Sequence, residues 1–489
     1  MKTENLPIEH FGDMPTDEFL RHGHALIDWI AAYRENLDNI KVLPDVQPGS
    51  ITAQLPKSAP EAPEAMAELL SDFERLIVPN LTQWHHPNFF AYFANSASLP
   101  AVLAELLTAA INNNSMVWKS GQAATELEHV TLDWLRQALA LPPEMWGMIF
   151  DTASISTMQA IACAREEAGV EAREKGLVRR TTPRLRVYAS EFVHSSIDKA
   201  CITLGLGAEN LVKIPANERF QMIPEALEKA IADDRASGHR PICVVGVVGT
   251  TSVASSDPIT AIAAICKREK LWLHVDAAYA GPVAMLHEWR GRFAGWEEAD
   301  SIVINPHKWL LVPMDLSILY TRKPYVLKQA FSLTPEYLKT TEDALVENMM
   351  DYGIQLGRRF RSLKLWFVMR YFGIEGLQAR LREHIALARL FGDLVEAHPD
   401  FELTAPVEFS LVCFRFRPQY LPNADERALE RFNTELEERL NASGDIFFVH
   451  TKVHGVYTLR FAVGNMETTE QHVRRAFERI VTVAGMLGK

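Results

Sequence analysis

Between about residues 100 and 320, short apolar, β-branched runs alternate with longer amphipathic stretches, and this alternation limits the possible folds more than any other feature of the chain. A parallel strand pair needs a crossover, normally a helix, so the pattern predicts right-handed βαβ units and a largely parallel sheet. The candidate strands are Met148–Phe150, Arg186–Ala189, Ile242–Val248, Leu271–Val275 and Ile302–Ile304. Open sheets of this kind bind ligands beyond the carboxyl ends of their strands. The residues that follow each run therefore carry the functional reading.

Those residues are polar and chemically specific. After the first run comes Asp151-Thr152-Ala153-Ser154, opening a helix predicted from Ile155 through Ala168. The free N–H groups and dipole at such a start suit a phosphate. His194-Ser195-Ser196 follows the second run, Gly249-Thr250-Thr251 the third, and Asp276 through Gly281 the fourth. The fifth stops at Asn305-Pro306, where proline bars continuation of the ladder and leaves His307-Lys308-Trp309 at a strand exit.

An ammonium among His307, Trp309, Leu310 and Leu311 is costly to bury. Lys308 either snorkels to the surface or is neutralised, paired or used covalently. An amine and a carboxylate on neighbouring strand ends are what pyridoxal phosphate requires: the amine bonds the aldehyde, and the carboxylate keeps the ring nitrogen protonated so that the ring accepts electrons. The competing account is an ordinary Asp276–Lys308 ion pair in a structural domain. A histidine able to lie on a ring and a phosphate-ready helix start favour the cofactor.

Flanking this region, apolar spacing predicts a helix over residues 16 to 39 with Thr16 as its cap, and a second through Met66, Leu69, Leu70, Phe73 and Ile77. Two such helices cannot bury their faces on each other alone, so they are expected to pack on a partner subunit. The aromatic patch from Trp84 to Phe93 reads as core or as binding surface. Its histidines lack further ligands at metal spacing, so no metal site is assigned.

Residues 334 to 353 read as a mobile loop carrying Tyr337, and a long helical stretch follows Gly357. Helices near 383–397 and 425–440, strands near 410–417 and 456–462, and a last helix from Glu470 suggest a small α+β domain. The expected division is 1–98, a helical segment; 99–375, a large α/β domain; and 376–489, the small domain.

The net charge of −12 is spread without a basic stripe, which argues against nucleic acid as a partner. Five dispersed cysteines without a CxxC suggest reduced core thiols. With neither a leader-like start nor an apolar run long enough for a bilayer, the expected address is the cytoplasm and no membrane contact is expected.

The run Leu273-His274-Val275-Asp276-Ala277-Ala278-Tyr279-Ala280-Gly281, taken with Asn305 to Trp309, resembles the group II pyridoxal-phosphate decarboxylases, nearest to the aromatic-L-amino-acid decarboxylases. His86-Pro87 through Phe93, Ala124 to Glu128, His194 to Ser196 and Leu356 to Phe360 support it, and the likeness runs from the first helix to the last domain. It implies the PLP-dependent transferase fold of aspartate aminotransferase, fold type I: a mostly parallel seven-stranded sheet, an N-terminal helical segment and a small α+β C-terminal domain. It also implies a homodimer with its active site at the subunit interface.

By the same resemblance, Lys308 carries the cofactor, Asp276 partners the pyridinium, and His194 and Ala278 take opposite ring faces. Ala153, Ser154, Asn305 and His307 would hold the phosphate, with Thr251 also on the cofactor. Tyr337 matches the tyrosine that protonates the α-carbon after carbon dioxide leaves. Trp84, Tyr92, Phe93 and Asn95 match the side-chain pocket. Gly357 matches a position where a small residue admits an indole. In this family a phenylalanine at the loop tyrosine, or an asparagine at the stacking histidine, accompanies oxidative formation of an aldehyde. With Tyr337 and His194 present, decarboxylation of an aromatic L-amino acid to its amine is expected.

The alternatives are a decarboxylase of an acidic amino acid such as glutamate, an aminotransferase, an aldehyde-forming relative, and a silent assembly protein. The chain departs from the resemblance at Asp151-Thr152, where relatives carry Gly-Ser, and at Asn112-Asn113-Asn114, which replaces a more apolar segment.

Overall fold

The computed structural model describes residues 12–178, 181–333, 342 and 345–487. Its centre is a seven-stranded sheet: β1 (Trp146–Phe150), β2 (Leu185–Ser190), β3 (Leu211–Ile214), β4 (Arg240–Val247), β5 (Trp272–Asp276), β6 (Ser301–Ile304) and β7 (Ser317–Thr321), in the spatial order β1-β7-β6-β5-β4-β2-β3. β3, β2, β4, β5 and β6 run parallel to one another. β7 is antiparallel to both β6 and β1, so β1 runs the same way as β6. The five expected strands therefore all end on one edge.

Both sheet faces are covered, as crossover helices demand. Alternate residues feed two cores: Leu273 and Val275 of β5 join one, and Trp272 the other. A second, antiparallel sheet of four strands holds β8 (Phe401–Leu403), β9 (Leu411–Phe416), β10 (Val449–Val453) and β11 (Val456–Ala462), ordered β10-β11-β9-β8.

Several boundaries shift from expectation. The helix after β1 starts at Ala153, not Ile155, because Thr152 is extended (φ −132°, ψ 158°) and the chain turns helical at once after it. The first helix spans Thr16–Glu35 with Pro15, not Thr16, at its cap. The expected helices after Gly357 and near 383–397 form one assigned stretch, Ser362–Ala397, broken at Gly373 (φ 64°, ψ 171°).

The helix Thr16–Glu35 buries no residue in the single chain. The aromatic patch divides three ways. Phe89 and Phe90 are fully buried, and Phe90 stacks on Phe461 of β11 at 3.8 Å between centroids. Trp84 and Tyr92 stack on each other nearer the surface, and Phe93 turns inward toward the strand exits.

Candidate active site

The carboxyl ends of the central strands surround a cleft of about 400 Å³ lined by Phe93, Ala153, His194, Ser196, Val247, Gly249, Thr251, Asp276, Ala278, Tyr279 and Lys308. Wider grooves exist, but the one across the opposite edge of the sheet has its Lys323 paired with Glu167 and Asp300. In the strand-exit cleft, among the described residues, Lys308 forms no ion pair.

Lys308 sits in the short helix Pro306–Trp309 that Asn305 caps at the end of β6. Its amine lies 5.7 Å from the Phe93 ring centroid. Burial lowers its pKa below the ordinary lysine value, and nearby Asp276 only partly opposes this. Asp276 ends β5, with Oδ1 accepting the Ala278 N–H at 3.0 Å. Among the described residues Lys308 and Asp276 form no ion pair, so the structural reading of that couple fails.

His194 follows β2 and keeps an open side, yet its surroundings lower its pKa chiefly through desolvation, with Lys308 adding to the effect. Its Nδ1 accepts the Ser196 N–H at 3.1 Å and lies 2.9 Å from Ser196 Oγ. A ring nitrogen that accepts an amide proton carries none, so the proton of the neutral ring is on Nε2. His307 is built the same way. Its Nδ1 accepts the Leu316 N–H at 3.0 Å, and burial brings its pKa down to about 4. It is an uncharged Nε2–H donor.

Beside them, Gly249 (φ +87°) turns the chain out of β4, and a Cβ there would stand 2.6 Å from Ala280 Cβ. Only glycine fits this close approach. The helix start at Ala153 and Ser154 joins the site through Ser156, whose Oγ lies 2.8 Å from Ser317 Oγ, one residue beyond Leu316. Asp151, next to that start, is engaged: Oδ1 accepts the Thr152 N–H at 2.5 Å and Oδ2 the Gln355 amide at 2.9 Å.

The pyridoxal phosphate expected from the sequence can be tested against this chemistry. The cleft offers a buried amine free of ion pairing, a buried carboxylate, neutral imidazole donors and a helix start. The Asn305 side-chain amide is buried with its Oδ1 lacking a hydrogen-bond partner, so the amide is free to turn and would meet a phosphate through its NH2 donors. The residues fit the group.

Comparison with known proteins agrees. The family model described as "Pyridoxal-dependent decarboxylase conserved domain" matches residues 48–417. The chain belongs to this family of pyridoxal-dependent decarboxylases.

It is 41% identical to tyrosine decarboxylase 2 of Arabidopsis thaliana, over 95% of this chain and 86% of that protein. The Oryza sativa TDC solved with PLP and tryptamine superposes with a TM-score of 0.94 at 36% identity, covering 98% of this chain and 100% of that one. Rhodiola rosea 4-hydroxyphenylacetaldehyde synthase superposes with a TM-score of 0.90 at 31% identity, covering 97% and 100%. The decarboxylase is thus a PLP-dependent carboxy-lyase.

Of the residues singled out from sequence, the fold brings Lys308, Asp276, His194, Ala278, Thr251, Ala153 and Phe93 together around the cleft. Asn305 and His307 lie just behind Lys308 in the chain, both buried, and Ser154 is exposed at the helix start. Trp84 and half-exposed Tyr92 stand apart from the lining; Asn95 reaches Met314, and Gly357 lies exposed beside Asn114. Tyr337 falls outside the described residues.

Sequence reasoning left several contributors unassigned: Ser196, which orients His194; Tyr279, stacked at 3.6 Å on Phe93; and Arg460. Arg460 reaches from β11 to the carbonyls of Thr251 (2.7 Å) and Ser252 (3.1 Å). Ser196 and Tyr279 sit beside motif residues and could have been found. Arg460 has no local signal.

Proposed function

We propose that the decarboxylase acts on an aromatic L-amino acid, releasing carbon dioxide and the corresponding amine. The observation that carries this reading is the lining of the cleft. The Phe93 ring faces the Lys308 amine, and Tyr279, also in the lining, stacks on Phe93 at 3.6 Å. An acidic side chain would need a cation, and Arg460, which packs over Phe93, is committed to the Thr251 and Ser252 carbonyls. Gly357 leaves space next to Asn114, in keeping with a large ring such as an indole.

Bound in this cleft, pyridoxal 5'-phosphate supplies a conjugated ring that takes up the electrons of the breaking carbon–carbon bond. The protein's own groups do the rest. Lys308, its pKa lowered, presents more of the neutral amine that bonds a carbonyl carbon. Asp276 would keep a proton on the ring nitrogen, and His194 and Ala278 would flank the ring. Ala153, Ser154 and the Asn305 side-chain amide N–H, with the Nε2–H of His307, would hold the phosphate, and Thr251 would contact the cofactor. Tyr337 returns a proton to the α-carbon.

The working unit in this reading is a homodimer in a reducing cytoplasm. Leu103, Leu106 and Ile111 of the helix Leu99–Ile111, with Phe19 and Leu20 of the first helix, leave an apolar surface that a second copy would cover. All five cysteines are free and buried. No described helix is long and apolar enough to cross a membrane.

The deciding experiment incubates the holoenzyme with a panel of aromatic and acidic amino acids and scores carbon dioxide and amine. Amine from glutamate but from no aromatic substrate would overturn the substrate assignment. Tyr337→Phe is expected to move product from amine toward aldehyde, ammonia and hydrogen peroxide at the expense of dioxygen; an unchanged amine yield would remove Tyr337 from its role.

A further inference from the structure

A charged seam lies behind His307, built from parts of the chain far from the strand exits. Asp315 directly precedes Leu316, whose N–H fixes the His307 tautomer. The Asp315 carboxylate accepts Arg361 Nε at 2.8 Å, and the Arg361 side chain is 14% exposed. Lys364, one helical turn on and almost fully buried, pairs with Glu105, which also pairs with Arg359. Its charge is felt by both Asp315 and His307. Two carboxylates and three cations thus form one seam, of which Asp315 and Lys364 act on His307 in opposite directions.

This arrangement has a chemical consequence. If the Asp315–Leu316 backbone moved, His307 Nδ1 would lose its donor, and the ring could place its proton on either nitrogen. Half of those states would turn a lone pair toward an anion in the cleft. Secondary partners of this kind set ligand orientation and tautomer, and removing them typically weakens a site about 10-fold or more.

We propose that the Asp315–Arg361 pair is a positioning device for cofactor phosphate: it pins the backbone that holds His307 as an Nε2–H donor. This rests on the reading that His307 holds the phosphate. Arg361 and Asp315 touch neither cofactor nor substrate in this scheme; they act through His307.

The test compares two ligands that differ only in the phosphate. Apo-protein prepared from the full-length holoenzyme is titrated with pyridoxal phosphate and with pyridoxal, following absorbance and intrinsic fluorescence. The proteins are wild type, His307→Leu, Arg361→Met, Arg361→Lys and Asp315→Asn. Losing one hydrogen bond to a charged group should reduce the preference for the phosphorylated ligand about 10-fold or more in His307→Leu. Arg361→Met and Asp315→Asn should reduce it by a similar or smaller factor, with pyridoxal affinity unchanged, and Arg361→Lys should restore part of it. The phosphorus-31 resonance of the bound cofactor should move in the same variants.

A His307→Leu protein with unchanged preference would overturn the phosphate reading itself. If His307→Leu loses the preference while Arg361→Met and Asp315→Asn keep it, the positioning role fails and the reading survives. Equal loss of both ligands in the Arg361 and Asp315 variants would make the pair a plain structural brace and would also overturn the proposal. Should Arg361→Met not fold, Asp315→Asn, which keeps the shape of the side chain, carries the comparison.

Discussion

Arg358→Met removes one half of the buried Glu128–Arg358 pair, which joins the helix Gln122–Ala138 and the end of β1 to the segment carrying Gly357. The two side chains are 3% and 4% exposed and meet at 2.8 Å. The same guanidinium reaches Ile149 O at 2.9 Å, and Glu128 accepts the Ile149 N–H at 3.0 Å. At that separation and an effective dielectric of about 20, the attraction is roughly 6 kcal/mol before desolvation is counted. Breaking such a pair from one side nets about 3–5 kcal/mol, because the remaining charge stays buried.

A stranded carboxyl can discharge that penalty by binding a proton. The loss should therefore shrink by about 1.4 kcal/mol for each pH unit lowered toward the carboxylate range. Urea titration of the apo-protein at pH 7.5 and 5.5 reads both effects. For a slope of about 3 kcal/mol per molar, the midpoint should fall by roughly 1–2 M at the higher pH and by less at the lower. The double variant Glu128→Leu/Arg358→Met should regain most of the loss. A single variant within about 0.5 kcal/mol of wild type, or a double variant no better than the single, would refute the reasoning.

Acid should destabilise the fold steeply. Burial holds His85, His274 and His307 down to about 4 and His384 to about 3, so below the ordinary imidazole value the unfolded chain binds protons that the folded one refuses. Stability contributed by these groups is complete above pH ~6.5 and is lost as the pH falls toward 4. Asp257, buried and pushed up to about 6, works in the opposite direction over part of the range. The net is about three protons, or roughly 4 kcal/mol per pH unit near pH 5, read from the pH dependence of the unfolding midpoint; a slope below one proton would contradict it. Asp151→Asn keeps an acceptor for the Thr152 N–H and removes a negative charge from the helix start. Cofactor affinity, measured by titrating apo-protein, should rise about three-fold, the worth of roughly 0.7 kcal/mol for a partly exposed charge at that position, and a weaker affinity would show that the turn matters more than the charge.

The sheet and the gathering at its edge were legible because buried parallel strands are unbroken apolar runs and their exits are short. Lys308, Asp276 and Thr251 each lie within four residues of a strand end, so the rule about carboxyl edges placed them. β3 and β7 escaped. β3 is a four-residue edge strand with Lys213 in it, and β7 follows a Pro-Met-Asp turn that interrupts the apolar run before it. The aromatic patch was legible as a patch but not residue by residue. Tyr92 adopts φ 51°, and that one turn sends Tyr92 outward and Phe93 into the cleft, which no periodicity announces. Arg460 and the Asp315–Arg361 pair are tertiary facts: each partner is unremarkable in its own stretch.

The separation of Asp276 from Lys308 is the most informative feature of the site. β5 and β6 are adjacent and parallel, with Asp276 opposite Val303, so a lysine soon after β6 could readily have closed on the carboxylate. Two features accompany the separation. Asn305-Pro306 ends β6 and starts a short helix before Lys308, and Asp276 Oδ1 is occupied by the Ala278 N–H. A fold selected for stability alone gains nothing by burying an amine and a carboxylate in one cleft without joining them, since each is then left with its desolvation penalty. The arrangement makes sense when a flat group lies between them, taking the amine at one end and the carboxylate at the other. The same logic covers the Asn305 side-chain amide, buried with its Oδ1 unpartnered, and the neutral His307 behind it. A buried amine, a carboxylate and a neutral imidazole donor thus stand at the carboxyl ends of neighbouring strands without being joined to one another, an arrangement that suits a cofactor with a charge at each end.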